Sequence, residues 1–262
     1  MVGGRGIRVG VWEIVLLLVA AAGAGWVDAV VGGGGLLQLP AVLLAGVPPV
    51  QALATNKLSS IFGTASAAIL YARTTKIDRA VAVPAALLAV ASAGLGAACA
   101  AAIPKDALIP LVMAALIGVA LLVTFRRGFG AAAAPHLRTR PRVLAAVLVS
   151  GGAVAFYDGI IGPGTGTFLI IAFTWILGTD LVAGSATAKI VNTGTNLGAL
   201  ALFAWQGHVL WGLGLAMAVC NVAGAQAGAR MALRGGARFV RVVLLCVVVA
   251  LVLKLGYDRF LG

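Results

Sequence analysis

The chain has 262 residues, of which 62% are hydrophobic and only 10% charged. A soluble domain covers itself with about 25% charged residues, so lipid must be the solvent here, and at roughly 20 apolar residues per span about eight to ten crossings use up the length. The formal charge of +12 lies in short loops between apolar runs. That is the positive-inside pattern of a membrane protein, and it excludes a nucleic-acid partner.

In chain order, the first apolar run covers residues 9–31. Arg5 and Arg8 in front of it imitate a signal peptide, but Glu13 lies inside the run and its end belongs to an internal repeat. Long runs follow at 54–72, 80–103, 107–125, 143–161, 183–204, 209–229 and 240–257. Each is long enough for a spanning helix. Two further runs, 36–47 and 167–178, are short, and each follows a glycine cluster. A twelve-residue helix covers about 18 Å of a hydrocarbon core of about 30 Å, so these read as half-helices or broken spans.

The sequence repeats at a period of about 130 residues. Trp26-Val27-Asp28 through Gly35 matches Phe156-Tyr157-Asp158 through Gly166, and the stretch around Lys57 matches that around Lys189. The repeats divide the chain into an N-terminal copy (1–125), a basic cytoplasmic linker (126–142) and a C-terminal copy (143–262). Paired halves in a membrane protein point to a transporter with its site between them.

The basic residues fall in three groups, Arg73/Lys76/Arg79, Arg126 to Arg142, and Arg230 to Arg241. All three should be cytoplasmic, which requires the short segments to count as crossings. The expected architecture is therefore an all-α polytopic protein of two inverted halves with five helical elements each and both termini outside. The competing topology has eight long helices, two re-entrant loops and parallel repeats.

Three sets of residues could carry chemistry. Gly33, Gly34 and Gly35 precede one short segment, and Gly164, Thr165 and Gly166 precede the other. Helix starts expose unpaired N–H groups and a partial positive charge, so two such starts meeting at mid-depth could cradle an anion. Tight backbone packing would equally explain the glycines. Lys57 and Lys189 lie near the starts of apolar helices, where a charge is costly unless used. Lys189, Asn192 and Asn196 share one helical face, as do Lys57, Ser60 and Thr64. A lysine with amide and hydroxyl donors suits an oxyanion, although snorkelling lysines and interhelical amide contacts give the same pattern. Asp28 and Asp158, at matching positions, could carry protons, neutralise a nearby lysine or cap a helix. No metal cluster, cofactor motif or nucleophile elbow points to an enzyme.

The segments Asp28 to Pro40, Gly46 to Leu58, Phe156 to Leu169 and Ala188 to Leu200 together resemble the TauE/SafE permeases, the sulfite exporter and sulfonate permease family. The resemblance implies movement of a small sulfur anion (sulfite, thiosulfate or an organosulfonate) across the bacterial inner membrane. A transporter of this kind would bind its anion on the glycine loops, with Lys57 and Lys189 balancing charge. Thr55, Asn56, Thr165, Asn192 and Asn196 would donate hydrogen bonds, and Asp28 or Asp158 would couple protons. The partners expected are this anion and the lipid bilayer, and a homo-oligomer is compatible with the composition. An anion channel using the same cradle is the alternative reading.

Overall fold

The computed structural model describes residues 11–102 and 133–260, which are helical apart from short turns, with no strand among the described residues. In the first half, α1 (Val11–Val31), α2 (Gly35–Leu44), α3 (Pro49–Thr74) and α4 (Arg79–Ala102) follow one another. In the second half, α5 (Arg140–Ile160), α6 (Thr165–Leu177), α7 (Leu181–Trp205) and α8 (Trp211–Phe260) repeat the order. Gly236, at φ 63° and ψ −165°, breaks α8 into two helical stretches, the second matching the 240–257 run. The run 107–125 and residues 126–132 of the linker lie outside the described residues.

Local chemistry sets these boundaries. Pro49 opens α3 at the first helical position, where a missing N–H costs nothing. Asp180 caps α7 by accepting from Val182 and Ala183 N–H at 2.9 Å each. Gly178, at φ 69°, closes α6 in the left-handed conformation that glycine adopts freely. The centre of α5, Leu148–Val154, winds as a π-helix.

The short runs are the short helices α2 and α6, of 10 and 13 residues. Each folds back along the helix before it. Leu39 and Val42 of α2 share one apolar cluster with Leu17 and Ala21 of α1. The far end of α6 returns to the start of α5, where Ala134 N–H donates to Gly178 C=O at 2.7 Å and Arg142 Nη1 to Ile176 C=O at 3.2 Å. Arg138, just before α5, pairs with Asp78 of the α3–α4 turn, so the first two basic loops lie at one end of the molecule.

The halves are interwoven. α1 packs along α8, and α5 packs along α4, so each half lends its first helix to the other. Small residues make this possible. A Cβ on Gly228 would stand 2.5 Å from the Trp26 carbonyl, and one on Gly96 would stand 2.2 Å from the Phe156 carbonyl. These are equivalent contacts in the two repeats. Ala85, Ala89, Ala93 and Ala97 extend the seam along α4, each 0% exposed. Lipid gives no hydrophobic drive between helices, so close backbone approach and van der Waals contact take its place. The outer surface carries exposed Trp12, Leu16, Val19, Leu87 and Val219, an apolar coat suited to acyl chains.

Among the described residues, the helices long and apolar enough to cross a membrane are α1, α4, α5 and the first part of α8. α3 and α7 have 26 and 25 residues but carry the polar residues of the interior. They pack against each other at the centre, covered by the more apolar helices.

Candidate functional site

The two glycine loops meet. A Cβ on Gly32 would lie 2.1 Å from the Gly166 backbone, and one on Gly35 would lie 3.3 Å from Pro163 Cα. Gly32, Gly162 and Gly164 have φ of 78°, 88° and 83°, where side chains are strained. Close backbone approach therefore explains Gly166, and it explains Gly34, which fits against Ala24 and Asp28 of α1. Neither α2 nor α6 has a side-chain cap. Among the described residues, no backbone carbonyl accepts from the N–H of Gly33, Gly34 or Gly164. The loops thus combine tight contact with spare donors.

The lysines are buried in the third turns of α3 and α7, because α3 begins at Pro49, ahead of the apolar run that suggested its start. Lys57 Nζ donates to Asp158 Oδ2 at 2.5 Å, and Lys189 Nζ donates to Asp28 Oδ2 at 2.8 Å. The pairing is reciprocal and crosses the halves: each lysine takes the aspartate of the opposite repeat. Side-chain exposure is 3% for Lys57, 3% for Asp158 and 0% for Lys189, but 14% for Asp28. Of the three roles open to the aspartates, this geometry gives them the lysine partner, in the other half, and neither caps a helix. Gly162 lies against the first pair, its missing Cβ 3.1 Å from Lys57 Nζ.

The remaining residues divide. Asn56 lies beside the first glycine loop, its Nδ2 3.9 Å from where a Gly35 Cβ would stand, and its buried Oδ1 has no partner. Asn192 and Asn196 are both buried. Asn192 Oδ1 accepts from Thr195 at 3.0 Å, and Asn196 Nδ2 reaches Thr64 Oγ1 at 3.5 Å. Thr165 has already given its proton, whereas Thr55 accepts and keeps its own. Thr55 accepts the Leu210 N–H at 3.2 Å, and Thr165 Oγ1 donates to Gly162 C=O at 2.7 Å.

Sequence reasoning missed one buried polar cluster. Gln38 Oε1 accepts from Asn221 Nδ2 at 2.8 Å and lies 3.4 Å from Ser59 Oγ, while Gln38 Nε2 is buried without a partner. The repeat gave no hint, since Phe168 and Ala89 hold the matching places. The only signal was an amide inside each apolar run, alone at Gln38 and with Gln226 beside Asn221.

Comparison with known proteins agrees with this architecture. The family model described as Sulfite exporter TauE/SafE matches residues 17–255. Among the similar relatives, a "Probable membrane transporter protein ORF9" of Sinorhizobium sp is 39% identical over 94% of this chain and 93% of its own. A "Probable membrane transporter protein YfcA" of Escherichia coli K12 is 34% identical over 93% of this chain and 89% of its own. A "Probable membrane transporter protein" of Haemophilus influenzae is 32% identical over 96% and 97%. No solved structure matches the chain.

With its apolar coat and buried charges between two repeats, the molecule is a multi-pass bacterial membrane transporter. It belongs to the sulfite exporter TauE/SafE family.

Proposed function

We propose that this protein is a secondary transporter of the inner membrane for a small sulfur-containing anion, such as sulfite, thiosulfate or an organosulfonate. Its two inverted halves would expose the site to either side in turn. The observation that carries this reading is the reciprocal pairing of Lys57 with Asp158 and Lys189 with Asp28, beside two touching glycine loops. A buried lysine whose counter-ion belongs to the other half can exchange that carboxylate for a soluble anion when the halves shift. The spare N–H groups of Gly33, Gly34 and Gly164 and the amides of Asn56, Asn192 and Asn196 would complete the oxyanion's coordination. The N–H groups of Gly35 and Gly166 and the Thr55 hydroxyl would add donors, whereas the Thr165 hydroxyl is spent on the Gly162 carbonyl and shapes the site. Asp28 or Asp158 is the proposed proton-coupling group. The inverted arrangement is supported by α6, whose far end returns to the starting end of α5, so that this short segment counts as a crossing.

Purified protein in liposomes, loaded with labelled sulfite, thiosulfate or sulfoacetate, tests the reading. A carrier empties faster when unlabelled anion is present on the other side. Flux without that acceleration would mean a channel. Full rates in both Lys57→Ala and Lys189→Ala would remove the lysines from the site.

A further inference from the structure

The two ion pairs occupy equivalent places in the repeats but are not equivalent in their surroundings. Lys57–Asp158 is sealed on both sides, and Lys57 is the only hydrogen-bonding partner of the Asp158 carboxylate among the described residues. Asp28 is the more exposed carboxylate and has a second neighbour, Thr64 Oγ1, at 3.4 Å. The Thr64 hydroxyl stands 2.7 Å from the Ser60 carbonyl, and a hydroxyl has one proton to give. The shorter bond takes it. An ionised Asp28 therefore faces an oxygen lone pair at Thr64, whereas a protonated Asp28 would donate to it. Thr64 in turn lies within reach of Asn196 on α7, so this carboxyl is connected to the seam between the halves. Asp158 has no such connection.

The charged surroundings of Asp28 are simple. α7 contributes Lys189, and α3 contributes Tyr71, whose hydroxyl donates to the Ala29 carbonyl at 3.0 Å. The lysine of α3, Lys57, is held by Asp158. α2 and α6 contain no ionisable residue, and Arg230 and Arg234 of α8 are exposed.

From this asymmetry we infer that Asp28 alone is the proton carrier, that Lys189 is the group that receives the anion when Asp28 is protonated, and that Lys57–Asp158 stays closed as a structural tie. The inference rests on the transport reading above. A proton from bulk water adds to an Asp28 carboxylate oxygen and ends its bond to Lys189. The ammonium, 0% exposed, cannot remain uncompensated in a low-dielectric interior, so a monoanion takes the vacated place. Anion without proton would set two negative charges side by side, and proton without anion would bare a buried cation. The two therefore bind together, one proton with each monoanion. On the other side both leave, and Asp28 re-forms its bond to Lys189.

The test uses liposomes containing the whole protein, with membrane potential clamped at zero. Methanesulfonate, which stays ionised and carries no proton of its own, and thiosulfate are the probes. An internal pH dye records proton entry. One pH unit is worth a factor of about ten, so one-to-one coupling gives methanesulfonate about ten-fold steady-state accumulation in the wild type, with protons entering alongside. In Asp28→Asn the accumulation ratio falls to about one, an endpoint that does not depend on how much protein is active. Thr64→Val, which keeps side-chain shape, moves the half-maximal uptake to more acid pH, a change that loss of packing alone would not produce. Accumulation that survives in Asp28→Asn but disappears in Asp158→Asn overturns the assignment. Wild-type exchange of either probe without proton entry overturns the coupling and leaves the transport reading intact. Wild-type protein that exchanges neither probe overturns both.

Discussion

Thr64 and Asn196, which hold the same position in the two repeats, touch each other, with Asn196 Nδ2 3.5 Å from Thr64 Oγ1. Equivalent residues of a duplicated chain can meet only where the two copies face one another, so this contact marks the line about which α3 and α7 are related. Any relative motion of the halves must change it. In a background lacking Cys99, Cys220 and Cys246, cysteines at 64 and 196 should be joined by a short bifunctional thiol reagent. The joined protein should lose anion flux by at least about ten-fold, the equivalent of 1.4 kcal/mol on the barrier, as read by liposome transport. Undiminished flux in fully cross-linked protein would show that this seam stays fixed during transport.

The cross-half ion pairs make single and paired substitutions behave differently. Lys57→Ala leaves Asp158 buried without a partner, which costs about 3 kcal/mol or more. The exchange Lys57→Asp with Asp158→Lys restores the attraction across the same two helices. Thermal unfolding in detergent should show a large fall for the single variant and substantial recovery in the exchanged pair. Equal losses in both would separate the pairing from stability.

The glycine seams can be tested against glycines that do nothing comparable. A Cβ on Gly224 would lie 1.9 Å from the Ala22 carbonyl, whereas Gly23 and Gly212 have nothing within 4 Å. Gly224→Ala should therefore destabilise by about 1–3 kcal/mol through overpacking. Gly23→Ala should be neutral, or stabilising by up to about 1 kcal/mol through helix propensity. Chemical denaturation in detergent micelles distinguishes the two.

At the surface, Arg138 beside Asp78 holds that carboxyl below the usual carboxylate value. The folded state thus binds the Asp78 proton less readily than the unfolded chain does. Its contribution is fully present above the ordinary carboxylate value and is lost as pH falls through the lower folded one. The pair is exposed, so the effect is small. Melting temperature recorded from pH 6 down to pH 3 should show a shallower acid decline in Asp78→Asn than in the wild type. An identical decline would remove the pair from the acid response.

Topology gives a prediction independent of transport. Reporter fusions at Thr75 and at Gly235 should both report the cytoplasm, and a fusion at Gln206 the opposite side. A Gly235 fusion on the outer side would refute ten helical elements with inverted halves.

Much of this was legible in the sequence because duplication shows each important position twice. Asp28 and Asp158, Lys57 and Lys189, and the two glycine loops stood out for that reason, and the half-helices followed from run length. What periodicity cannot supply is the partner. Nothing in the sequence says that Lys57 faces Asp158, 101 positions away, rather than the aspartate of its own repeat. Gln38 and Asn221 escaped notice because in each case the other copy holds an apolar residue, Phe168 and Ala89 respectively. Thr165 looked like a free donor because its bond to the Gly162 carbonyl is settled by a turn, which composition does not describe.

The exchange of first helices also orders the molecule's assembly. Trp26 of α1 reaches Met231 of α8 across a separation of 205 positions, so α1 leaves the ribosome long before its main companion. Until then the small residues of α1 that face α8 have only lipid or an insertion factor beside them. The N-terminal repeat is therefore an incomplete object by itself, and a chain truncated before α8 should be a substrate for membrane quality control rather than a half-working carrier.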